Sequence, residues 1–165
     1  MQCIIKLNSL IIILLICSNL KAQDNNYSDT INKAINSSYL EKMINESLVR
    51  YIKNINESKY RNPDCKLTLI TDYYMYGFKF CPEIREMDVQ FYSVDSVLKT
   101  KDRACLIFFS GIKLLDDKII ILFSAAHTDK RKNKVYIAFG SGGMYFTYKY
   151  SYEEKRWKLL SEDEW

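Results

Sequence analysis

The sequence predicts an α+β domain in which one or two N-terminal amphipathic helices pack on a curved antiparallel sheet that ends in a β-meander. Apolar residues recur with a helical period over residues 38–57. From residue 66 onward, the pattern changes to short runs of β-branched and aromatic residues. The turns between the last runs are too short to hold crossover helices, so these strands are expected to be antiparallel.

Residues 1–22 predict a cleavable signal peptide, which leaves residues 23–165 as a single domain. Lys6 precedes the apolar run 10–16, and a small residue ends the segment. The run is far shorter than the roughly 20 residues that span a bilayer. Two alternatives stay open: no processing, or lipidation at Cys17, although an isoleucine precedes that cysteine where lipoprotein signals carry a small residue. We expect export to the periplasm or the medium, with membrane attachment only if Cys17 is lipidated.

The charge of the chain gives no indication of a nucleic-acid or membrane partner. The net charge is +4. Removal of residues 1–22, which carry Lys6, Lys21 and no acid, lowers it to +2. Such a small charge exerts little attraction on polyanions. The basic cluster 130–134 lies between two strand-like runs and is interpreted as a solvated hairpin loop. No nucleic-acid partner is expected, and the abundant tyrosines favour an unknown protein or carbohydrate as the partner.

Two helices are predicted before the strands begin. Asp29 can cap a short helix over 29–35. Ser38 and Glu41 form a capping box, in which each side chain satisfies a free backbone donor, at the start of a longer helix over 38–57. One face of that helix is apolar and consists of Leu40, Met43, Ile44, Leu48, Tyr51, Ile52 and Ile55. This face is expected to cover the sheet, against strand residues that include Ile107, Phe109, Ile121 and Phe123.

The strands follow as alternating or wholly apolar runs. They are expected over 66–71, 88–92, 105–110 with 112–115, 118–126, 135–139, 144–152 and 156–160. Residues 72–82 are aromatic but irregular. Gly111 is expected to mark a bulge and Asp116-Asp117 a tight turn. The segment 140–143 (Gly-Ser-Gly-Gly) is interpreted as a flexible turn or bulge, because no Lys-Ser/Thr pair or helix follows, as a phosphate loop would require.

The final hairpin shows the clearest alternation and carries the one resemblance. One face of its first strand is aromatic, with Phe146, Tyr148, Tyr150 and Tyr152; Trp157 and Leu159 share a face on the return strand. The pattern Tyr148-Lys149-Tyr150-x-Tyr152, followed by Trp157-Lys158-Leu159, resembles the ending of small exported proteins of Bacteroidota-type bacteria. Helices followed by a curved sheet also resemble the cystatin-like and nuclear-transport-factor-like folds. These resemblances imply an exported setting and transfer no catalytic residue.

The cysteines left after signal removal are Cys65, Cys81 and Cys105. Three free thiols, or one bridge and one spare thiol, are both possible, and an exported protein favours a bridge. Cys65 and Cys81 lie at loop-like edges, whereas Cys105 opens an apolar strand and looks like a buried small hydrophobe. Cys65–Cys81 is therefore the expected pair. The spacings match no zinc pattern, and no metal or cofactor is predicted.

Candidate site residues are few. His127, the single histidine, ends an apolar strand two residues before Asp129; without a clear orienting partner it is not assigned a catalytic role. The 13 tyrosines are the strongest deviation in composition. Two interpretations stay open: the tyrosines of one face belong to the core, or exposed tyrosines form a contact surface, for which their large rigid rings are well suited. On the second interpretation, the predicted ligand-binding residues are Tyr73, Tyr74, Tyr76, Tyr145, Tyr150 and His127.

Two functions remain in competition. The first is an exported, non-catalytic binding or interaction module. The second is a small cone-shaped ligand-binding protein or enzyme with a pocket between helix and sheet, and with His127 or tyrosines at its mouth. A deep pocket with converging polar groups favours the second, and a filled core with a flat aromatic face favours the first.

Overall fold

The computed structural model describes residues 37–58, 65–72, 75, 78–99, 103–131 and 134–165. The predicted signal peptide, the short helix over 29–35 and the candidate tyrosines Tyr73, Tyr74 and Tyr76 lie outside these residues. The description of the fold and of the site applies to the described part of the chain.

Helix α1 spans Ser37–Glu57, one residue longer than predicted. Its apolar stripe is buried, and neither Leu48 nor Ile52 is exposed at all. On the outer side, Arg50 donates a hydrogen bond to Glu162 of the last strand at 2.5 Å. An exposed ion pair of this kind contributes at most about 1 kcal/mol. Burial of the apolar stripe therefore provides most of the energy that holds α1 on the sheet.

The described strands form one six-stranded sheet in the order β2-β1-β3-β4-β5-β6. Their bounds are β1 (Lys66–Ile70), β2 (Val89–Tyr92), β3 (Ala104–Leu115), β4 (Lys118–Arg131), β5 (Lys134–Ser151) and β6 (Arg156–Glu164). Strands β3 to β6 pair antiparallel with their sequence neighbours. The predicted α+β class, with a helix near the N-terminus and a largely antiparallel sheet, is thus confirmed. The sheet is not wholly antiparallel, however, because β1 pairs in parallel with both β2 and β3.

Two short helices that the sequence analysis did not predict lie in the connections between the parallel strands. Helix α2 (Pro82–Glu86) precedes β2, and helix α3 (Val94–Lys99) precedes β3. The Ser93 hydroxyl accepts a hydrogen bond from the Ser96 N–H at 3.1 Å and so caps α3. Val97 is 1% exposed, so even this six-residue helix contributes to a core.

The segment between β1 and α2 is fastened to α1 by one asparagine. The Asn45 side chain accepts a hydrogen bond from the Cys81 N–H at 2.9 Å and donates one to the Lys79 carbonyl at 3.1 Å. Lys53 pairs with Glu83 of α2 at 2.8 Å. These contacts hold α2 beside α1 on the same face of the sheet.

The first long hairpin follows the predicted bulge and turn. The pairing of β3 with β4 shifts between Phe109 and Gly111, and Gly111 has φ 136°, a value that L-residues rarely adopt. Asp116 in the turn also takes a positive φ of 49°. The bulge at Gly111 is therefore confirmed.

The glycine-rich segment 140–143 lies inside β5 and is not a flexible turn between two strands. Ser124 of β4 pairs with Gly143, and Ala126 pairs with Phe139, so three residues of β5 lie opposite one residue of β4. The prediction of a bulge is correct, but that of two separate strands is wrong. A bulge of this size bends and twists the strands, and β5 continues through it because its glycines tolerate the irregular backbone.

The main core lies between α1 and the sheet. Leu48, Ile52, Ile121 and Phe123 are all fully buried in it. The other predicted core residues belong to the same cluster, either buried (Ile44, Ile107) or partly buried and packed against it (Leu40, Ile55, Phe109). Helix α1 thus covers the sheet face on which these strand residues lie.

A second, smaller core lies on the opposite face of the sheet. It contains Val97 of α3 with Ile70, Leu106 and Ala126. Leu106 and Ile107 are neighbours in β3 and belong to different clusters, as the alternation of side chains along a strand requires. The parallel part of the sheet is therefore covered on both faces.

The aromatic face of β5 is largely buried, and its residues Phe146 and Tyr148 belong to the main core. Phe146, Tyr148 and Tyr150 are at most 7% exposed, whereas Tyr152 lies just past the strand and is 44% exposed. The Tyr148 hydroxyl makes a buried hydrogen bond with the Ser47 hydroxyl at 2.9 Å. Burial raises the pKa of the Tyr148 hydroxyl to about 12. On α1, burial together with the negative charge of Glu164 likewise raises the pKa of the Tyr51 hydroxyl to about 12.

We predict that stability is lost at alkaline pH through these two tyrosines. Their pKa is about 10 in the unfolded chain and about 12 in the folded chain, so the folded state favours the protonated phenols. Their contribution is fully present below pH 10 and is lost as the pH rises through 12. Urea unfolding between pH 8 and 12 should show this decline, and Tyr148→Phe should make it shallower. A stability that stays constant from pH 9.5 to 12 would contradict the prediction.

The disulfide joins Cys65 to Cys105, with 5.7 Å between their Cα atoms, and Cys81 is a free cysteine. The predicted Cys65–Cys81 pair is therefore wrong. The physical reason is the parallel pairing of β1 with β3, in which Leu67 lies opposite Cys105, so that Cys65 at the start of β1 falls within bridging distance. Cys81 instead lies at the start of α2 and is held near α1 by its contact with Asn45.

Candidate functional site

The structure does not bring the described candidate tyrosines together into one surface. Tyr150 is 7% exposed and packs edge-on against Tyr152 and Trp157, with ring centroids at 5.0 Å and 5.4 Å. Tyr145 is half-buried and lies next to the core residue Phe146, so its side chain leaves the opposite face of the sheet. The prediction that Tyr150 contributes an exposed contact is therefore wrong, because its ring is part of the packing.

His127 lies in a cleft of about 760 Å³ at the C-terminal end of α1. Clefts of about 300–1,000 Å³ are typical of small-molecule sites. The helix contributes Tyr51, Asn54 and Ile55, Ser58 follows its end, and the sheet contributes residues of β1, β3, β4, β5 and β6. The cleft thus lies between helix and sheet.

The cleft exists because α1 is shorter than the strands that it covers. A helix of 21 residues is about 30 Å long, whereas an extended strand of 18 residues is about 60 Å long. The helix therefore cannot cover the far part of the β4–β5 hairpin. The bulge opposite Ala125 bends this part of the sheet, and Ala125, Gly140, Gly142 and Gly143 all line the cleft.

The floor of the cleft is apolar. Leu67, Ile107 and Met144 are each at most 5% exposed and continue the main core into the cleft. Tyr51 stacks on Phe123 with ring centroids 5.7 Å apart and planes at 21°, which fixes its ring at the end of the core. The Cys65–Cys105 disulfide also lines the cleft and holds β1 against β3 there. The floor is thus built from parts of the structure that packing and a covalent bond keep in place.

The mouth of the cleft is polar and carries both signs of charge. Arg103, His127, Asp129 and Glu164 all line it. His127 pairs with Cys105 across β3 and β4. Continuing this antiparallel register by two residues puts Arg103 opposite Asp129. His127 is exposed to solvent. An apolar floor with a few polar groups at the rim is the usual composition of a small-molecule site.

Trp165 lies at the rim beside the glycines of β5. Its backbone N–H donates a hydrogen bond to the Gly143 carbonyl at 3.2 Å. Its indole nitrogen and an adjoining ring carbon occupy the place that a Cβ on Gly143 would take. Trp165 is nevertheless 60% exposed. Gly143 therefore has to be a glycine for this indole to take its position.

Within the described ranges, no group of three or more His, Cys, Asp or Glu side chains is placed to hold a metal ion. The same part of the chain contains no helix of the length and hydropathy needed to cross a bilayer.

Sequence reasoning singled out His127 but missed the rest of the cleft. Arg103 directly precedes β3, Trp165 directly follows β6, and Gly143 lies in the bulge of β5. These residues are far apart in the chain and meet only through the register of the sheet. The one available signal was the glycine-rich segment 140–143, which interrupts two apolar runs without the residues of a phosphate loop.

The architecture of the described residues is defined by the arrangement of one long helix on a mixed sheet. A long helix covers one face of a sheet, four of whose strands follow one another antiparallel, and two further strands pair in parallel at its other side. The cystatin-like and nuclear-transport-factor-like outline stays a prediction. No protein-family model matches this chain, and no curated protein or solved structure is significantly similar to it.

Proposed function

We propose that this domain binds a small, largely apolar molecule in the cleft at the end of α1. The observation that carries the proposal is the cleft of about 760 Å³ with its apolar floor and polar rim. The proposal combines the two functions expected from the sequence, a non-catalytic binding module and a protein with a pocket between helix and sheet, and it takes the cleft as the binding site. The predicted surface role of Tyr150 is not part of the proposal.

The rigidity of the cleft supports the proposal. Its floor continues the main core through Leu67 and Ile107, and the Cys65–Cys105 bridge ties two of its strands together. A preformed site loses little conformational entropy when it binds, so a modest number of contacts gives useful affinity. Polar groups such as Arg103 then serve to orient the ligand.

The proposal is for binding and not for catalysis. General acid–base catalysis by His127 needs a second group that orients the imidazole. Asp129 lies two residues along the same strand, which separates the two Cα atoms by about 6–7 Å. The two side chains leave the same face of β4 side by side, so Asp129 does not stand behind the ring of His127 as an orienting partner would.

We further propose that the protein is exported. The order of charge, apolar run and small residue in 1–22 supports this, as does the Cys65–Cys105 disulfide, because such bridges persist mainly in oxidising compartments.

A neutral fluorescent dye tests the binding proposal. N-phenyl-1-naphthylamine, whose emission rises in apolar surroundings, should give a saturable increase with the folded protein. Ala125 is half-buried in the cleft wall, so Ala125→Phe should weaken dye binding by about tenfold or more. Leu98→Phe is the matched control, because Leu98 is 39% exposed on α3, whose buried Val97 packs on the opposite face of the sheet.

Urea unfolding of each variant checks that the fold is retained. Equal dye affinity in the wild type and in Ala125→Phe would place the dye elsewhere and contradict the proposal. Absence of saturable binding by the wild type would contradict it as well.

A further inference from the structure

We propose that Trp165 is the ligand-contacting residue of the cleft and that it selects a planar aromatic molecule, which it stacks against the glycine wall of β5. This inference rests on the proposed function and adds the class of ligand. The cleft wall next to the indole lacks side chains at Gly140, Gly142 and Gly143. A wall without side chains beside an exposed ring leaves room for a planar ligand to lie against that ring.

The indole is held at this place by contacts within the chain. The backbone hydrogen bond from Trp165 to Gly143 fixes the end of β6 against β5. The nitrogen-bearing edge of the indole lies over Gly143, at the position a side chain would fill. Because this edge is used for packing, the position of the ring is set before any ligand arrives, which lowers the cost of binding.

The rest of the indole is available for a ligand. Trp165 is 60% exposed although it lines a cleft whose floor residues, such as Leu67 and Ile107, are almost fully buried. Aromatic rings prefer offset or edge-on partners and gain more from a ring than from an alkyl chain of equal size. The indole at the rim therefore adds affinity for aromatic ligands, whereas the apolar floor binds aromatic and aliphatic ligands alike.

The test compares two alcohols of similar size as competitors for bound N-phenyl-1-naphthylamine. In the wild type, 2-naphthol should displace the dye at lower concentrations than 1-nonanol. Trp165→Leu keeps an apolar side chain and removes the ring. In this variant, the affinity for 2-naphthol, measured from dye displacement, should fall by about two- to tenfold, and the affinity for 1-nonanol should stay almost unchanged. Trp157→Leu is the control for a tryptophan outside the cleft.

A glycine variant tests the position of the indole independently. Gly143→Ala places a methyl group where the indole edge lies, and should displace the ring and lower the preference for 2-naphthol. Trp157→Leu, which alters neither the wall nor the indole of Trp165, is the control and should keep the preference. A Cβ on Gly143 would also approach the Phe123 carbonyl, so the stability of Gly143→Ala is measured as well. If Gly143→Ala does not fold, the result with Trp165→Leu tests the inference alone.

The failure of this inference can be told apart from the failure of the proposed function. If Ala125→Phe abolishes dye binding but Trp165→Leu leaves the preference for 2-naphthol intact, the cleft binds ligands and the role of Trp165 is wrong. If the wild type shows no saturable dye binding, the proposed function is wrong and the inference falls with it.

Discussion

Replacing Leu48 by alanine is expected to lower the free energy of unfolding by about 2–5 kcal/mol. Leu48 is completely buried on the inner face of α1, within the cluster that includes Ile121 and Phe123 of the sheet. Truncation removes apolar contacts and leaves a cavity, because a helix that is packed along its whole length cannot collapse into the space.

Urea unfolding followed by circular dichroism measures this effect. Leu98→Ala is the matched control, since Leu98 is 39% exposed on α3 and its truncation should change stability by less than about 1 kcal/mol. If Leu48→Ala unfolds at the urea concentration of the wild type, α1 does not cover the sheet in solution.

Removal of the Cys65–Cys105 bridge is expected to cost about 4 kcal/mol by the chain-entropy relation for a closed loop of 40 residues. The bridge ties the start of β1 to β3, and these two strands pair in parallel without a short turn to fix their register. The double variant Cys65→Ala/Cys105→Ala should therefore be much less stable than the wild type.

The free cysteine supplies the control for this experiment. Cys81→Ala leaves the bridge intact and should stay close to the wild type in stability. Dithiothreitol should destabilise both the wild type and Cys81→Ala but not the double variant. If the reductant acts on the wild type and not on Cys81→Ala, then Cys81 takes part in the bridge and the pairing described here is wrong.

Much of the fold could be predicted because its helix and its long hairpins depend on the spacing of apolar residues and turn residues that are close in sequence. The period of the apolar residues located α1 to within one residue, and Gly111 marked the bulge in β3. The long hairpins followed from alternation and short turns. These features depend on neighbours in sequence, which is why one sequence was enough to find them.

The parallel part of the sheet could not be predicted in this way. Strands were predicted at 66–71 and at 88–92, but nothing in the four incompletely buried residues of β2 indicates which strand they pair with or in which direction. Helix α3, with six residues, is too short to show a helical period. The cysteine pairing depends on the contact between β1 and β3, and the error there followed directly from the missed parallel pairing.

The candidate site was predicted only at one residue. His127 was identified because it is the single histidine, and the structure places it at the mouth of the cleft. The cleft itself results from the limited length of α1 and the bulge around Gly143, and both are properties of the assembled sheet. Of the two interpretations of the tyrosines, Tyr148 and Tyr150 follow the one that places them in the core.

Nuclear magnetic resonance during a titration with 2-naphthol tests the central claim most directly. The chain has one histidine and two tryptophans, so the imidazole of His127 and the indole N–H groups of Trp157 and Trp165 give separate, assignable signals. His127 and Trp165 line the cleft, whereas Trp157 packs against Tyr150 away from it. We predict saturable shifts of the His127 and Trp165 signals while that of Trp157 stays in place. If the Trp157 signal shifts while those of His127 and Trp165 do not, or if no signal shifts, the cleft is not the binding site.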